Sequence, residues 1–387
     1  MARRVAIVLD LQWPYKRHAG IFAGTQEYAR AHGWESILDE FPVATLPRRR
    51  SAALPFDGII ARAEPRLAKL AQRLHLPLVN VWPSSPARRW VVGVYPDSTA
   101  IGRLFAEHLL ARGFRRFATL TAANNVDHQL EVAEFARTLQ EAGFSSLSAL
   151  MPQNPWRDRR SWQRTVRQIA VWIDRWQLPI GVYVGSEGIG RLLVQECHRR
   201  GWRVPADVAI IAGKNEEILC KHPQPTLTSM EIGYERIGYE AARLLDGLMS
   251  GAAAPSEPIL VPPQGLVVRE STDFFAVDDP LVAAALRFIS ANAHRPIGPD
   301  AVARTVGAET RTLQNRFGKV LGRPIATEIR RVRLERAKRE LTQGTRPLFE
   351  IAREAGFGEA IRMCEVFRRE LGVTPSAYRR QRQTAND

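Results

Sequence analysis

Residues 301–378 contain the same small unit twice, and no other stretch narrows the possible folds so far. In the first copy a short helix (301–306) meets Gly307, and a second helix follows at Thr310–Leu321. In the second copy Leu348–Ala355 meets Gly356-Phe357, and a helix follows over 359–371. Helix, short glycine-containing turn, helix is the helix-turn-helix arrangement. Each second helix hides one apolar edge: Leu313, Phe317 and Val320 in one copy, Met363, Val366 and Phe367 in the other. Spacings of three and four put those side chains on one face and leave a polar, largely basic face opposite. Residues 325–341 read as a helix holding the two copies at a fixed separation.

This segment resembles the DNA-binding domain of the AraC family of bacterial transcription regulators. The matching residues are Ala303, Gly307, Leu313, Phe317, Arg333-Leu334 with Ala337 and Leu341, Ile351-Ala352, Gly356-Phe357, Phe367, and Gly372-Val373-Thr374-Pro375 ahead of Tyr378. The likeness covers about a quarter of the chain. It implies promoter DNA and RNA polymerase as partners. The first reading helix offers Arg311, Gln314 and Asn315, with Arg316 and Lys319 nearby. Arginine suits the guanine O6/N7 edge, and asparagine or glutamine suits the adenine N6/N7 edge. By resemblance, 311, 314 and 315 are positions from which the family contacts bases. In the second unit those positions fall on Ala360, Ile361, Cys364 and Glu365, none a long basic donor, and Arg362-Met363 replaces a common Tyr-Phe pair. Arg362, Arg368 and Arg369 therefore read as clamps on the DNA backbone. Glu365 would repel phosphate unless it accepts from a cytosine amine.

Charge agrees with that reading. Residues 281–387 hold 21 Lys+Arg against 11 Asp+Glu, while the rest of the chain holds 34 against 29. A basic surplus gathered in the helix-turn-helix segment is what phosphate binding requires. The cysteines Cys197, Cys220 and Cys364 are scattered and odd in number, which fits reduced thiols in a cytoplasm. The opening MARRVAIVLDLQW has too short an apolar run for a signal peptide, and no run approaches a membrane span.

Before residue 269 the pattern changes to strands alternating with helices. The continuous apolar run at 5–9 reads as a buried parallel strand, and 36–38, 56–60, 78–81, 117–120, 180–184 and 208–212 read as further strands. Helices are expected over 21–32, 67–74, 99–112, 130–142, 162–176, 188–201 and 232–249, with 14–20 as a loop. Such alternation implies βαβ units and parallel sheets. Two similar runs, divided near 96–97, suggest two lobes with a cleft, and ligands of open α/β sheets bind beyond the carboxyl ends of the strands.

This front part resembles the periplasmic-binding-protein-like sensor of LacI-type regulators. The likeness rests on Asp97 followed by His108-Leu109 and Gly113, on 208–217, on 238–245, and on Leu260-Val261-Pro262-Pro263 with Arg269, Ser271, Thr272 and Asp273. It is looser than in the DNA-binding part. It implies a small sugar or polyol as effector and a homodimer. Pockets for vicinal hydroxyls use acidic and amide side chains, so Asp10, Asp97, Glu187 and Asn215 are the candidates. Asp10 and Asp97 read equally well as helix or loop caps. Lys214 departs from the family, which has an aspartate there. Lysine offers three donors and no acceptor, which points to a sugar acid or another modified sugar. Trp156, in a Pro- and Arg-rich loop, is a candidate for stacking on a sugar ring.

Other motifs carry less. Gly185-Ser-Glu-Gly188-Ile-Gly190 follows a strand and opens a helix, but its glycine order does not fit a dinucleotide fingerprint and a tight βα turn suffices. The eight histidines are dispersed without metal-ligand spacing, and Arg48-Arg49-Arg50 reads as a solvated loop. No catalytic signature such as GxSxG or HExxH occurs.

The expected fold is an α/β two-lobed periplasmic-binding-protein-like sensor followed by an all-α double helix-turn-helix domain. The sensor spans 1–268, a connector 269–279 and the DNA-binding part 280–387. The expected function is a cytoplasmic, effector-controlled transcription regulator, commonly an activator, with no cofactor, metal or membrane partner. Two other classes stand beside it: a DNA binder whose sensor half only dimerises, and a nucleotide-dependent enzyme.

Overall fold

The computed structural model describes residues 2–47, 53–123, 125–151, 157–277, 279–343 and 346–384. Contacts divide the chain into two units. The first takes 1–102, 122–132 and 232–263; the second takes 103–121, 133–231 and 264–387. The crossing therefore does not fall at 96–97 alone, because later segments return to complete the first unit.

In the first unit, the strands β1 (Arg4–Val8), β2 (Glu35–Leu38), β3 (Gly58–Ala61) and β4 (Leu78–Asn80) form a parallel sheet in the order β2-β1-β3-β4. The central strands β1 and β3 are apolar runs buried along most of their length, as parallel strands covered on both faces must be. The helices are α1 (Lys16–His32), α2 (Pro42–Thr45) and α3 (Pro65–Leu74). A short parallel pair, β5 (Val94–Pro96) and β11 (Ile259–Val261), brings the returning chain beside its own start. Helix α1 packs on α9 (Tyr234–Met249) almost backbone to backbone. A Cβ at Gly24 would lie 1.6 Å from the Glu235 carbonyl oxygen, and one at Gly238 would lie 1.9 Å from that of Ile21. The sequence pattern started α1 at residue 21; the helix begins five residues earlier.

In the second unit, β6 (Phe117–Ala122), β7 (Ser146–Met151), β8 (Ile180–Val184) and β9 (Val208–Ala212) form a four-stranded sheet in the order β7-β6-β8-β9. Strands β6, β8 and β9 run parallel. Helices α5 (Val126–Glu141), α6 (Arg159–Ile173) and α7 (Glu187–Arg199) connect them, α4 (Ser98–Ala111) precedes β6 and α8 (Glu217–Lys221) follows β9; α4 and α5 each begin in residues counted with the first unit. A core of Val182, Leu193, Val208, Ile210 and Trp172 lies under α6 and α7. β10 (Ser229–Glu231) and β12 (Gly265–Val267) form an antiparallel pair, and the chain then makes a 3-10 turn at Glu270–Thr272.

The remainder of this unit is helical: α10 (Pro280–Asn292), α11 (Pro299–Thr305), α12 (Thr310–Leu321), α13 (Ile325–Gln343), α14 (Leu348–Ala355), α15 (Ala360–Leu371) and α16 (Pro375–Thr384). Asp279 caps α10 by accepting from the amides of Leu281 and Val282 at 2.9 and 3.2 Å. Two separate cores form around α13. Its first half gives Ile325 and Ile329 to a cluster with Leu286, Leu313 and Phe317. Its second half gives Leu334, Ala337 and Leu341 to a cluster with Ile351, Met363 and Phe367. No helix among the described residues is long and apolar enough to cross a membrane.

Candidate nucleic-acid interface and effector site

Burying Leu313 and Phe317 fixes which way α12 faces. The opposite side carries Arg311, Gln314, Asn315, Arg316 and Lys319, all exposed. Arg311, Gln314 and Asn315 make no hydrogen bond to the described residues, so their donors and acceptors are available to base edges. Arg316 is engaged, with Nη1 3.3 Å from Asp279 Oδ2. On α15 the buried edge is Met363, Val366 and Phe367, and Arg362, Glu365, Arg368 and Arg369 point to solvent. Arg369 pairs with its neighbour Glu370 at 2.9 Å. Ile361, at the start of this helix, is also exposed.

Three arginines and one glutamate that the pattern did not mark as functional hold this platform. Arg333 donates from α13 to the carbonyls of Ala293 at 2.8 Å, Arg295 at 2.9 Å and Ile297 at 3.3 Å, clamping the α10–α11 connection. Glu328 is fully buried and accepts from Arg323 at 2.7 Å and from Arg331 at 2.6 and 3.0 Å. Burial would raise its pKa, but the two guanidiniums outweigh burial and hold it below the ordinary glutamate value. Gly356, at φ 93°, packs so closely that a Cβ would meet the Ala293 carbonyl oxygen at 2.1 Å.

The sensor candidates fall in both units. In the first, Asp10 follows β1 and is exposed. Its Oδ1 accepts from the Gln12 amide at 3.1 Å, and its carbonyl meets His18 Nδ1 at 2.7 Å. Burial lowers the His18 pKa, the hydrogen bond to Asp10 opposes that, and the charges of Arg17 and Arg62 add to the lowering. Arg17 pairs with the buried Asp127 at 3.1 Å, and Arg62 lies over the Trp82 ring at 3.7 Å. Asp10, Arg17, His18, Arg62 and Asp127 thus share one neighbourhood. The sequence signal for it was weak, because its members stand up to 117 positions apart with no common period. Asp97 accepts from the Ala100 amide at 2.9 Å, which is the capping role weighed for it.

In the second unit Glu187 is buried at the start of α7, and its Oε1 accepts from the amides of Lys214 at 2.7 Å and Glu216 at 3.1 Å. This carboxylate shapes the turn after β9. Lys214 is half-buried in that turn. Asn215 is buried, adopts a left-handed backbone at φ 61°, and donates to Glu231 Oε2 at 2.7 Å. Arg191 is buried with no carboxylate partner among the described residues and donates to the carbonyls of Leu219, Cys220, Pro223 and Pro225 at 2.6–2.8 Å, fixing the loop below. Trp156 and Arg48-Arg49-Arg50 lie outside the described residues. No cluster of three or more metal-ligating side chains occurs among the described residues. Burial pushes the Cys197 thiol up to about 12 and raises that of Cys220, so neither is a thiolate at neutral pH.

Comparison with known proteins bears on both halves. Residues 106–272 match the family described as periplasmic binding protein-like domain, and 302–381 match that described as helix-turn-helix domain. The xylose operon regulatory protein of Haemophilus influenzae is 25% identical over 97% of this chain and 98% of its own. That of Escherichia coli K12 is 26% identical over 97% and 96%. The chain is a homologue of the xylose operon regulators. It is a DNA-binding transcription regulator and not an enzyme. A solved structure of a xylose-binding transcription activator covers 98% of both chains at 24% identity with a TM-score of 0.58, which shows the shared fold. Along the chain the periplasmic-binding-protein-like match precedes the helix-turn-helix match.

Proposed function

We propose that the regulator binds a small sugar-type effector in its sensor half and promoter DNA through α12 and α15, as a homodimer in the cytoplasm. Arg311, Gln314 and Asn315 read bases, and Arg362, Arg368 and Arg369 hold phosphates. The observation that carries the effector reading is Asn215: a buried amide at the carboxyl end of β9, in a left-handed turn shaped by Glu187, with Glu231 beside it. Acidic and amide groups so placed at a strand end suit hydroxyls that both donate and accept. The names of the full-length relatives, which are xylose regulators, favour a pentose-sized ligand.

Lys214 adds a cation to that turn, which favours an effector bearing a carboxylate. Effector binding closes the sensor and shifts the placement of the two DNA-binding halves of the dimer, favouring recruitment of RNA polymerase. Calorimetry with xylose and with its aldonic acid tests this reading. Micromolar binding of the acid, lost in Lys214→Ala, is expected. Xylose binding that ignores Lys214→Ala removes the acidic effector, and heat from neither ligand removes a pentose-type effector.

A further inference from the structure

Asn215 sits in the left-handed region, which asparagine enters more readily than other non-glycine residues, and its side chain is held by several bonds. Its Oδ1 accepts from Arg269 Nη2 at 2.5 Å and from Ser229 Oγ at 3.3 Å. The same guanidinium donates through Nη1 to the Leu227 carbonyl at 2.8 Å and to Ser229 Oγ at 3.1 Å. One planar group thus grips the turn after β9 and the strand beside it. A lysine, with a single ammonium, could not span those acceptors.

Arg269 is also the first residue of the connector, and the connector is fastened along its length. The Arg269 amide donates to Thr228 Oγ1 at 2.8 Å. The hydroxyls of Thr228 and Thr272 lie 2.7 Å apart, and that of Thr272 lies 2.9 Å from His108 Nε2. Ser271 Oγ donates to the Ile210 carbonyl at 2.6 Å and accepts from the Thr228 amide at 2.9 Å. Arg112 Nε donates to the Thr272 carbonyl. Farther on, the Ala276 amide donates to the Arg112 carbonyl at 2.8 Å, and the Arg112 guanidinium lies 5.6 Å from the Phe275 ring centre. Phe275 is buried in the core of the first helix-turn-helix, with Val282, Leu286 and Phe317. Residues 269–276 are therefore tied to Asn215 at one end and to the DNA-binding core at the other. A slack tether would leave its polar groups to water.

We propose that Arg269 is a positioning residue that conveys the state of the Asn215 turn, through the fastened connector, to the first helix-turn-helix unit. This rests on the reading of Asn215 as effector-facing. A ligand group that engages the Asn215 amide alters its hold on Arg269, and the strain reaches Phe275 through the Thr228–Thr272–Arg112 contacts. By linkage the effect is reciprocal, so DNA on α12 must in turn alter the Asn215 turn.

That reciprocity allows a test without knowing the effector. Hydrogen exchange is followed in the full-length regulator with and without a duplex selected from a random pool. DNA should change the exchange rate of 213–216 about fivefold, a small but ordinary coupling. In Arg269→Lys and in Thr272→Val, DNA should still bind within about threefold of wild type, while the response at 213–216 disappears. If Arg269→Lys does not melt cooperatively, Thr272→Val, which keeps the side-chain shape, carries the test. A response that persists in the folded variants, or is absent in wild type, overturns the proposal. Calorimetry with xylose and with its aldonic acid on the wild type is read separately: heat from neither rejects the pentose-type effector and leaves the exchange result standing.

Discussion

Arg316 on α12 lies 3.3 Å from Asp279, the residue that caps α10, so the second helix of the first helix-turn-helix unit is tied to the start of the helical part. The two contributions of Asp279 differ in size. Losing a cap costs about 1 kcal/mol, while an ion pair as exposed as this one contributes roughly 0–1 kcal/mol. Asp279→Ala should therefore lower the urea midpoint about as much in an Arg316→Ala background as in wild type. A double-mutant coupling well above that range would show the pair to be the larger effect.

Asn315→Ala should cost about 1–3 kcal/mol of specific binding and relax preference at one base pair. Selection from randomised duplexes reads this directly. Equal weakening on every sequence would move Asn315 from base edge to phosphate.

Arg368 is exposed on α15, about 100° around the helix from the buried Phe367. Arg368→Ala should reduce the slope of log affinity against log salt by about one unit and leave the consensus unchanged. Titrations at several salt concentrations decide it, and an altered consensus would contradict the assignment.

Glu328 links stability to pH. Its folded pKa is depressed below the unfolded value of about 4.3, so its stabilisation is present above that value and fades as pH falls through the folded pKa. Glu328→Gln should cost about 2 kcal/mol at pH 7, less than a fully buried pair, because Arg323 and Arg331 are 30% and 32% exposed. The difference between variant and wild type should shrink in denaturation curves taken below pH 4. A constant difference would mean packing, not charge, sets the cost.

The two turns give a paired experiment. Gly307 is at φ 71° with nothing near its would-be Cβ, so Gly307→Ala should cost only the left-handed penalty of about 1 kcal/mol. Gly356 adds the approach to the Ala293 carbonyl, and Gly356→Ala should melt the domain at a clearly lower temperature than Gly307→Ala. Equal melting temperatures would remove that approach as a cause.

The helix-turn-helix copies were legible because their apolar spacing repeats the helical period within a few residues. Buried strands such as Ile180–Val184 and Val208–Ala212 were legible for the related reason that every position is apolar. Helix α1 was started late because the charged Lys16 and Arg17 and Gly20 read as loop, whereas both basic residues are half-buried and Gly20 is needed by the close approach of Tyr234 on α9. Strand β7 was missed because its residues are only partly buried and its polar serines mask the alternation. At the effector site, Asn215 and Glu187 could be picked by position. Their bonds to Arg269 and to the amides of 214 and 216 depend on tertiary contacts that no local period records.

Because each half of α13 completes a different core, α12 and α15 are bolted to one rod and cannot be re-spaced without unfolding one of the cores. A promoter recognised by this regulator must then keep its two contact segments at one helical phase. Inserting a single base pair between them would swing one segment about 34° around the duplex axis, away from its reader. If two copies bind side by side, as proposed above, the gap between their half-sites is under no such constraint from α13, so drift in promoter sequence should accumulate there and not inside a half-site.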